Sequence, residues 1–322
     1  MDLDRMLTKC HRDQWQVGDL DWSRPPPRGW DRDKEEAVVQ YFTDMAAIER
    51  LAGALFEEQR RSVTDPRLEQ ILSTFVTDEL RHSHVAQMLA DHYDVHRYRL
   101  YQIDDQLRRF APHFVYAVRF LSAEFATIYI TTGELILDIA LLRSLNDYVD
   151  DAMSDEAMAK INQDESRHIA IDFHMIERYS SEEWQAELAA APPRPLGEQL
   201  RAWWAFLQVL RHAKPFFREV FFAPMARTDP SGQRMREAFK RIQLLSAKPR
   251  VAARPFSRFV LSLQRLHNHP VWGPLFGRLA VRLLGIEPAV IQELYSAEEY
   301  RWAASASFDE LSAAALQLKH AH

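Results

Sequence analysis

The string Asp78-Glu79-Leu80-Arg81-His82 returns 86 residues later as Asp164-Glu165-Ser166-Arg167-His168. Both copies lie in stretches without Gly or Pro, with apolar residues at three-and-four spacing, so both read as helix. Residues three apart share a helix face. Glu79 with His82, and Glu165 with His168, therefore each aim a carboxylate and an imidazole at one point. That is the pairing of a Glu-x-x-His metal site in a helical bundle. Only these two of the 13 histidines have a Glu three residues before them.

Each string has a glutamate one helix hairpin upstream: Glu49 is 30 residues before Glu79, and Glu134 is 31 before Glu165. At about 1.5 Å per residue, an antiparallel hairpin with its turn midway brings such a pair level. Thr64-Asp65-Pro66 marks the first turn, and the stretch from Asn146 to Asp151 marks the second. The two hairpins together offer four carboxylates and two imidazoles, the inventory of a carboxylate-bridged di-metal centre. Imidazole with carboxylate suits iron or manganese. The alternative is two solvated faces with ordinary Glu–His contacts. Glu49 falls within the apolar arc of its helix. There an unpaired charge is too costly, so it is paired, protonated or a ligand. Asp78 and Asp164 sit one turn before the His of their own helices and can orient an imidazole through its second N–H. Arg81 and Arg167 can pair with those aspartates, and plain ion pairing three residues apart is the other reading of all four.

The remainder of the chain supports an all-α fold. Gly is scarce, at nine in 322 residues, and Ala, Leu, Glu and Arg dominate. Residues 1–33 read as an arm, since Pro25-Pro26-Pro27 and Gly29 prevent helix there. Trp15, Trp22 and Trp30 suit an arm that covers the bundle. Long helices are expected over 33–62, 66–92, 112–145 and 154–179, the last capped by Ser154, with 93–111 as a crossover. Pro192-Pro193-Arg194-Pro195 separates an extension at 196–322. Its helical pieces are expected over 196–223, 230–247, 256–268, 273–284 and 287–304, ending in a short polar tail. The single Cys10 excludes an intrachain disulfide and a four-cysteine cluster. No secretory signal or 18-residue uncharged apolar run is evident, so a cytoplasmic protein is expected. Residues 1–195 carry a net −14 and residues 196–322 a net +8. This fits two differently solvated surfaces, or a basic face for an acidic partner. No groove-binding motif accompanies the basic residues, so nucleic acid is not expected as a partner.

The two strings with their upstream glutamates resemble the ferritin-like di-iron carboxylate superfamily over roughly residues 34–180. The local likeness is to its oxygen-activating members: hydroxylase subunits of bacterial multicomponent monooxygenases, acyl-carrier-protein desaturases and arylamine N-oxygenases. The resemblance implies a ferritin-like four-helix bundle with Glu49, Glu79, His82, Glu134, Glu165 and His168 as ligands. It also implies Asp78 and Asp164 as partners of the ligand histidines. The cofactor would be two Fe ions, or a Mn/Fe pair, with O₂ as co-substrate. The reaction would be hydroxylation, N-oxygenation or desaturation of a small organic molecule. Electrons would come from a ferredoxin or reductase, because the chain has no dinucleotide fingerprint and no cluster motif. The basic extension would suit an anionic or carrier-bound substrate, an acidic carrier protein or an acidic donor. A homodimer is expected by analogy alone.

The sequence departs from these relatives at several positions. The radical-generating ribonucleotide reductase subunit has a Tyr four residues after its first motif His, where this chain has Ala86. N-oxygenases have a His four residues before the second motif Glu, where this chain has Ile161. Hydroxylases and desaturases keep a Thr just after the third-helix Glu, whereas Leu137 and Asp138 follow Glu134. Glu124 does have Thr127 three residues on, but it lies 41 residues before Glu165, so it is the alternative ligand to Glu134. Thr131 and Asp138, each within a turn of Glu134, are candidates for the oxygen-side pocket. The second reading of the whole chain is iron handling or peroxide scavenging without an organic substrate. The third is a scaffold without metal.

Other features are weaker. His84 faces away from His82, and His174 lies less than two turns beyond His168. Trp203, Trp204, Phe206, Phe216, Phe217, Phe221 and Phe222 read as core and rim, or as the wall of a substrate tunnel. The segment 271–286 is expected to pack on the bundle. Its other reading is a helix lying on a membrane surface, and a membrane partner is not expected.

Overall fold

Asp2 opens the first helix, α1 (Leu3–Arg12), by accepting the Arg5 N–H at 3.0 Å, and further aspartates repeat the device. In the computed structural model, which describes residues 1–284 and 291–317, Asp31 accepts the Lys34 N–H and starts α2 (Arg32–Arg60). Asp65 accepts from Arg67 and Leu68 ahead of α3 (Pro66–Tyr93), whose first residue is a proline that needs no partner for a missing N–H. Asp104 starts α4 (Asp105–Phe120), and Ser122 starts α5 (Ala123–Ile136). A π-helical turn, Leu137–Leu142, joins α5 to α6 (Arg143–Val149). Asp151 starts α7 (Ala152–Tyr179). Among the described residues every regular element is helical.

The caps correct three expected boundaries. The helix expected over 112–145 begins earlier, at Asp105, because Asp104 supplies the cap, and it breaks at Leu121, whose extended backbone lets Ser122 cap a new helix. Asp151 rather than Ser154 caps α7; the Ser154 hydroxyl donates instead to Asn146 at 2.7 Å. The arm is not free of helix, since α1 precedes its proline run.

α2 and α3 pack as an antiparallel hairpin, tied in their middle by the Ser83 hydroxyl donating to the Ala46 carbonyl at 2.7 Å. α5 packs on α7, and contacts of α3 with α7 and of α2 with α5 close a four-helix bundle. The stretch Ala123–Val149 is long and apolar enough to cross a membrane by length and composition, but 72% of its apolar window is buried inside the protein.

The rest of the chain continues as α8 (Glu182–Ala190), α9 (Leu196–Phe216), a π turn (Phe217–Phe222), α10 (Ala223–Thr228), α11 (Gln233–Leu245), α12 (Pro249–Ala252) and α13 (Pro255–Asn268). A third π turn, Gly273–Gly277, leads into α14 (Arg278–Leu284), and helices Ala297–Ser305 and Phe308–Gln317 follow. Of the helix expected over 287–304, residues 287–290 lie outside the described residues, as do residues 285–286 of the expected 271–286 segment and residues 318–322 of the expected polar tail. α8 was not foreseen. One hydrophobic core takes in Cys10, Trp15 and Leu20 of the arm, the bundle, and Ala205, Val209, Phe239 and Leu311 of the later helices. Phe216 and Phe221 join it with Phe217 and Phe222 at its rim, as expected for the aromatic stripe, but two expectations fail. Trp203 and Trp204 are 65% and 59% exposed, because α9 turns Ala205 and Val209 toward α4. The apolar side chains of 271–279 face outward, and α13 with α14 has only a small cluster of its own at Leu263, Val281 and Ile291.

Candidate metal centre

Each helix of the bundle turns a carboxylate inward at the same level. Glu49 of α2, Glu79 and His82 of α3, and Glu165 of α7 form one group, and their ligand atoms all lie within 4.8 Å of one another. Glu79, Glu134 of α5, Glu165 and His168 of α7 form a second group by the same measure. Glu79 and Glu165 are common to both. All six side chains are buried. The groups could each hold a metal ion, with two shared carboxylates between them and a Glu and a His at each outer end.

The imidazoles are oriented alike. His82 Nδ1 faces inward, 3.1 Å from Glu165, 3.8 Å from Glu79 and 3.9 Å from Glu49. His168 Nδ1 lies 3.0 Å from Glu79, 3.1 Å from Glu165 and 3.9 Å from Glu134. Both Nε2 atoms point outward to aspartates, but not to those of their own helices. His82 Nε2 is 3.0 Å from Asp164 of α7, and His168 Nε2 is 3.5 Å from Asp78 of α3. This crossing corrects the expectation of pairing within each string. The reason is geometric: each string turns both its Glu and its His inward, so the Asp one residue before the Glu lies at the α3–α7 interface, beside the opposing histidine. The arginines link both halves. Arg81 bonds Asp78 and reaches Asp164 at 2.8 Å, while Arg167 bonds Asp164 and reaches Asp78 at 3.3 Å.

The arm completes this layer. Trp15, stacked over His82 with ring centroids 6.5 Å apart, donates its indole N–H to Asp164 at 2.7 Å. Gln14 donates to Asp78 at 3.0 Å and accepts from Arg81 at 2.9 Å. Sequence reasoning placed Trp15 over the bundle but missed both contacts. It also missed Asp172, fully buried four residues beyond His168 and beside Thr131, with no hydrogen-bond donor on either oxygen. An acidic residue between Ile171 and Phe173 on the ligand face was the available signal. Of the remaining candidates, Glu124 is drawn away by a two-pronged pair with Arg254 at 2.8 and 3.0 Å. Asp138 is buried in the π turn, close enough to Arg143 to influence it. His84 is exposed, and His174 belongs to neither group.

The donor set fits a pair of cations. Among the described residues, both oxygens of Glu49 and of Glu79, and one oxygen each of Glu134 and Glu165, have no donor other than the imidazole Nδ1 atoms. Buried carboxylates left in that state are costly unless protonated or coordinated. Burial, and then the neighbouring Glu79 and Glu165, push the Glu49 carboxyl well above its ordinary range; burial, then Glu165 and Glu79, do the same to Glu134. Burial opposes charge on His82, but its bonds to Asp164 and Glu165 prevail and raise it. His168 is likewise raised, against burial, by Glu165 and Asp78. Burial would lift Glu165, but His168 and His82 hold it well below the usual carboxylate range.

These shifts set the pH response of the metal-free protein. Glu49, Glu134, His82 and His168 all bind protons more tightly folded than unfolded. Their contribution is therefore complete below the unfolded values, about 4.3 for Glu and about 6.5 for His, and is lost as pH rises through the folded ones. Glu165 acts in the opposite sense, only at acid pH. The metal-free melting temperature is expected to fall as pH rises above about 6.5, while cations that replace those protons flatten the curve. Thermal melts with chelator and with Mn(II) check this, and parallel curves would contradict it.

Gly53 lets α2 approach Glu79: a Cβ there would sit 3.1 Å from Glu79 Cβ. Gly53→Ala gains about 1 kcal/mol of helix propensity but displaces a shared ligand. The expected result is unchanged or higher stability without metal and about tenfold weaker metal binding, measured by titration calorimetry. Unchanged affinity would show that Glu79 tolerates the shift.

Comparison of the chain with protein-family models, with curated proteins and with solved structures gives no match. The molecule is thus an all-α bundle with a buried Glu/His cluster able to hold metal, and its reading rests on that cluster.

Proposed function

We propose that the chain is a ferritin-like, O₂-activating di-iron oxidoreductase that oxidises a small organic substrate. The observation that carries this is the sharing of Glu79 and Glu165 between two Glu-and-His groups. Two imidazoles among carboxylates favour iron or manganese over calcium or magnesium. A ferrous pair held there would supply two electrons to O₂. The protein's own residues do the rest. Asp78 and Asp164 fix the two imidazoles with Nδ1 inward. Burial of all six candidate ligands excludes bulk water. Burial pushes the Asp172 carboxyl well above its ordinary range, which suits it to give a proton on the His168 side. Hydroxylation, N-oxygenation and desaturation all fit this site. Electrons would come from a separate ferredoxin or reductase, and the net +8 of residues 196–322 suits an acidic donor, an acidic carrier or an anionic substrate.

The test is anaerobic loading with Fe(II), an iron count, and the optical spectrum after exposure to O₂, for the natural chain and for Glu79→Ala and His168→Ala. The proposal expects about two irons per chain and a transient O₂-dependent absorption, both lost in the variants. Continued uptake of iron into a ferric mineral would favour iron handling without an organic substrate. Absence of stoichiometric iron or manganese, with unchanged variants, would overturn the metal assignment itself.

A further inference from the structure

Residues 249–284 contain six arginines and no Asp or Glu. Arg250 and Arg254 are taken up by Glu182 and Glu124. Arg258, Arg265, Arg278 and Arg282 are exposed, and no ion pair engages them among the described residues. α13 and α14, with the π turn between them, form a helical hairpin that packs chiefly on itself. Gly273 and Gly277 set its geometry. A Cβ at Gly273 would lie 2.3 Å from the His267 carbonyl oxygen, and one at Gly277 would lie 2.6 Å from the His267 Cα. The glycine face is therefore pressed against α13, and the opposite face must point outward.

That outward face is apolar. Val271, Trp272, Leu275, Phe276 and Leu279 are 57, 50, 61, 53 and 52% exposed. Val271, Leu275 and Leu279 follow one another at four-residue steps, and Trp272 and Phe276 form the adjacent row with ring centroids 5.7 Å apart. The strip exposes on the order of 500 Å² of apolar side chain, near the upper limit of what a lone soluble chain leaves in water. Arg278 and Arg282 flank it along the same helix.

We propose that this hairpin is a docking surface for an anionic lipid bilayer. The Val271–Leu279 strip enters the boundary between headgroups and acyl chains, and Arg258, Arg265, Arg278 and Arg282 meet the lipid phosphates. Charge selects this occupant. A second copy of the chain would set the same arginines against one another across a two-fold contact, and the segment has no acid to answer them. A surface of lipid phosphates supplies that charge, and long arginine side chains can reach it while the strip is immersed. The proposal stands apart from the metal centre.

Co-sedimentation of the full chain with liposomes tests it. Phosphatidylcholine mixed with phosphatidylglycerol should bind at least about tenfold more protein than phosphatidylcholine alone, and high salt should release it. Leu275→Ser with Phe276→Ser, and separately Arg278→Gln with Arg282→Gln, should each cut binding about tenfold while helix content and melting stay unchanged. Leu200→Ser with Leu207→Ser, on the exposed face of α9, should have no effect. Three results would overturn the proposal: no binding by the natural chain, loss confined to the α9 variant, or hairpin variants that turn a dimer into a monomer in sedimentation velocity. The last would make the strip a contact between copies.

Discussion

Glu79→Ala is expected to abolish binding at both metal positions, whereas Glu49→Ala weakens one and spares the other. The difference follows from placement. Glu79 belongs to both groups of candidate ligands, while Glu49 belongs only to the group with His82, and Glu134 only to the group with His168. Outer-layer changes around bound metals already cost 10–100-fold in affinity, so loss of a shared ligand should exceed about 100-fold at both positions. Titration with Mn(II), which avoids oxidation during the measurement, reads the two positions as equivalents bound. Metal-free stability should move the other way. Glu79 has no donor beyond the imidazole Nδ1 atoms, and its charge adds to the load on Glu49 and Glu134. Removing it relieves like-charge repulsion, so the metal-free variant should melt no lower than the natural chain. If Glu49→Ala and Glu79→Ala each lose the same single equivalent, the carboxylate is not shared and the two-position reading fails.

The Glu/His cluster was legible because helices make spacing into geometry. Glu-x-x-His fixes a face, and a hairpin of about 30 residues fixes a level, so Glu49, Glu79, His82, Glu134, Glu165 and His168 could be brought together without coordinates. The choice between Glu134 and Glu124 turned on the same arithmetic, and the structure sends Glu124 to Arg254 instead. What spacing cannot give is the partner across a helix interface. The exchange of Asp78 and Asp164 between the two histidines depends on how α3 and α7 face each other, and no single-helix pattern encodes that. Trp15 and Gln14 were hidden for a related reason: their contacts are made by an arm whose path is set by packing, not by period. The end of α4 at Leu121 was missed because local capping by Ser122 overrides an apolar run that reads as continuous. The exposed strip at 271–279 was misjudged because an amphipathic pattern gives a face but not what covers it.

The crossed aspartates give the second large effect. Asp164 accepts from Trp15, Arg81, Arg167 and His82 at one buried point. Arg167 is 0% exposed, so Asp164→Ala would leave a buried guanidinium with Asp78 as its main counter-charge. Breaking such a pair costs about 3–5 kcal/mol, which should lower the melting temperature on the order of 10 °C. Asp164→Asn keeps the volume and one acceptor but removes the charge that makes the His82 imidazole a strong donor of electron density. Its effect should therefore fall on metal affinity, by about 10–100-fold, and at one position only. The structure makes that position the His82 one, although Asp164 shares α7 with His168. Double variants separate the cases. Asp164→Asn combined with Glu49→Ala strikes one position twice and should be non-additive, while Asp164→Asn with Glu134→Ala strikes two positions and should be nearly additive. Asp78→Asn should show the mirror pattern, coupling to Glu134→Ala. If each aspartate instead couples to the ligands of its own helix, the repeat acts as two separate strings and the α3–α7 exchange plays no part in holding metal.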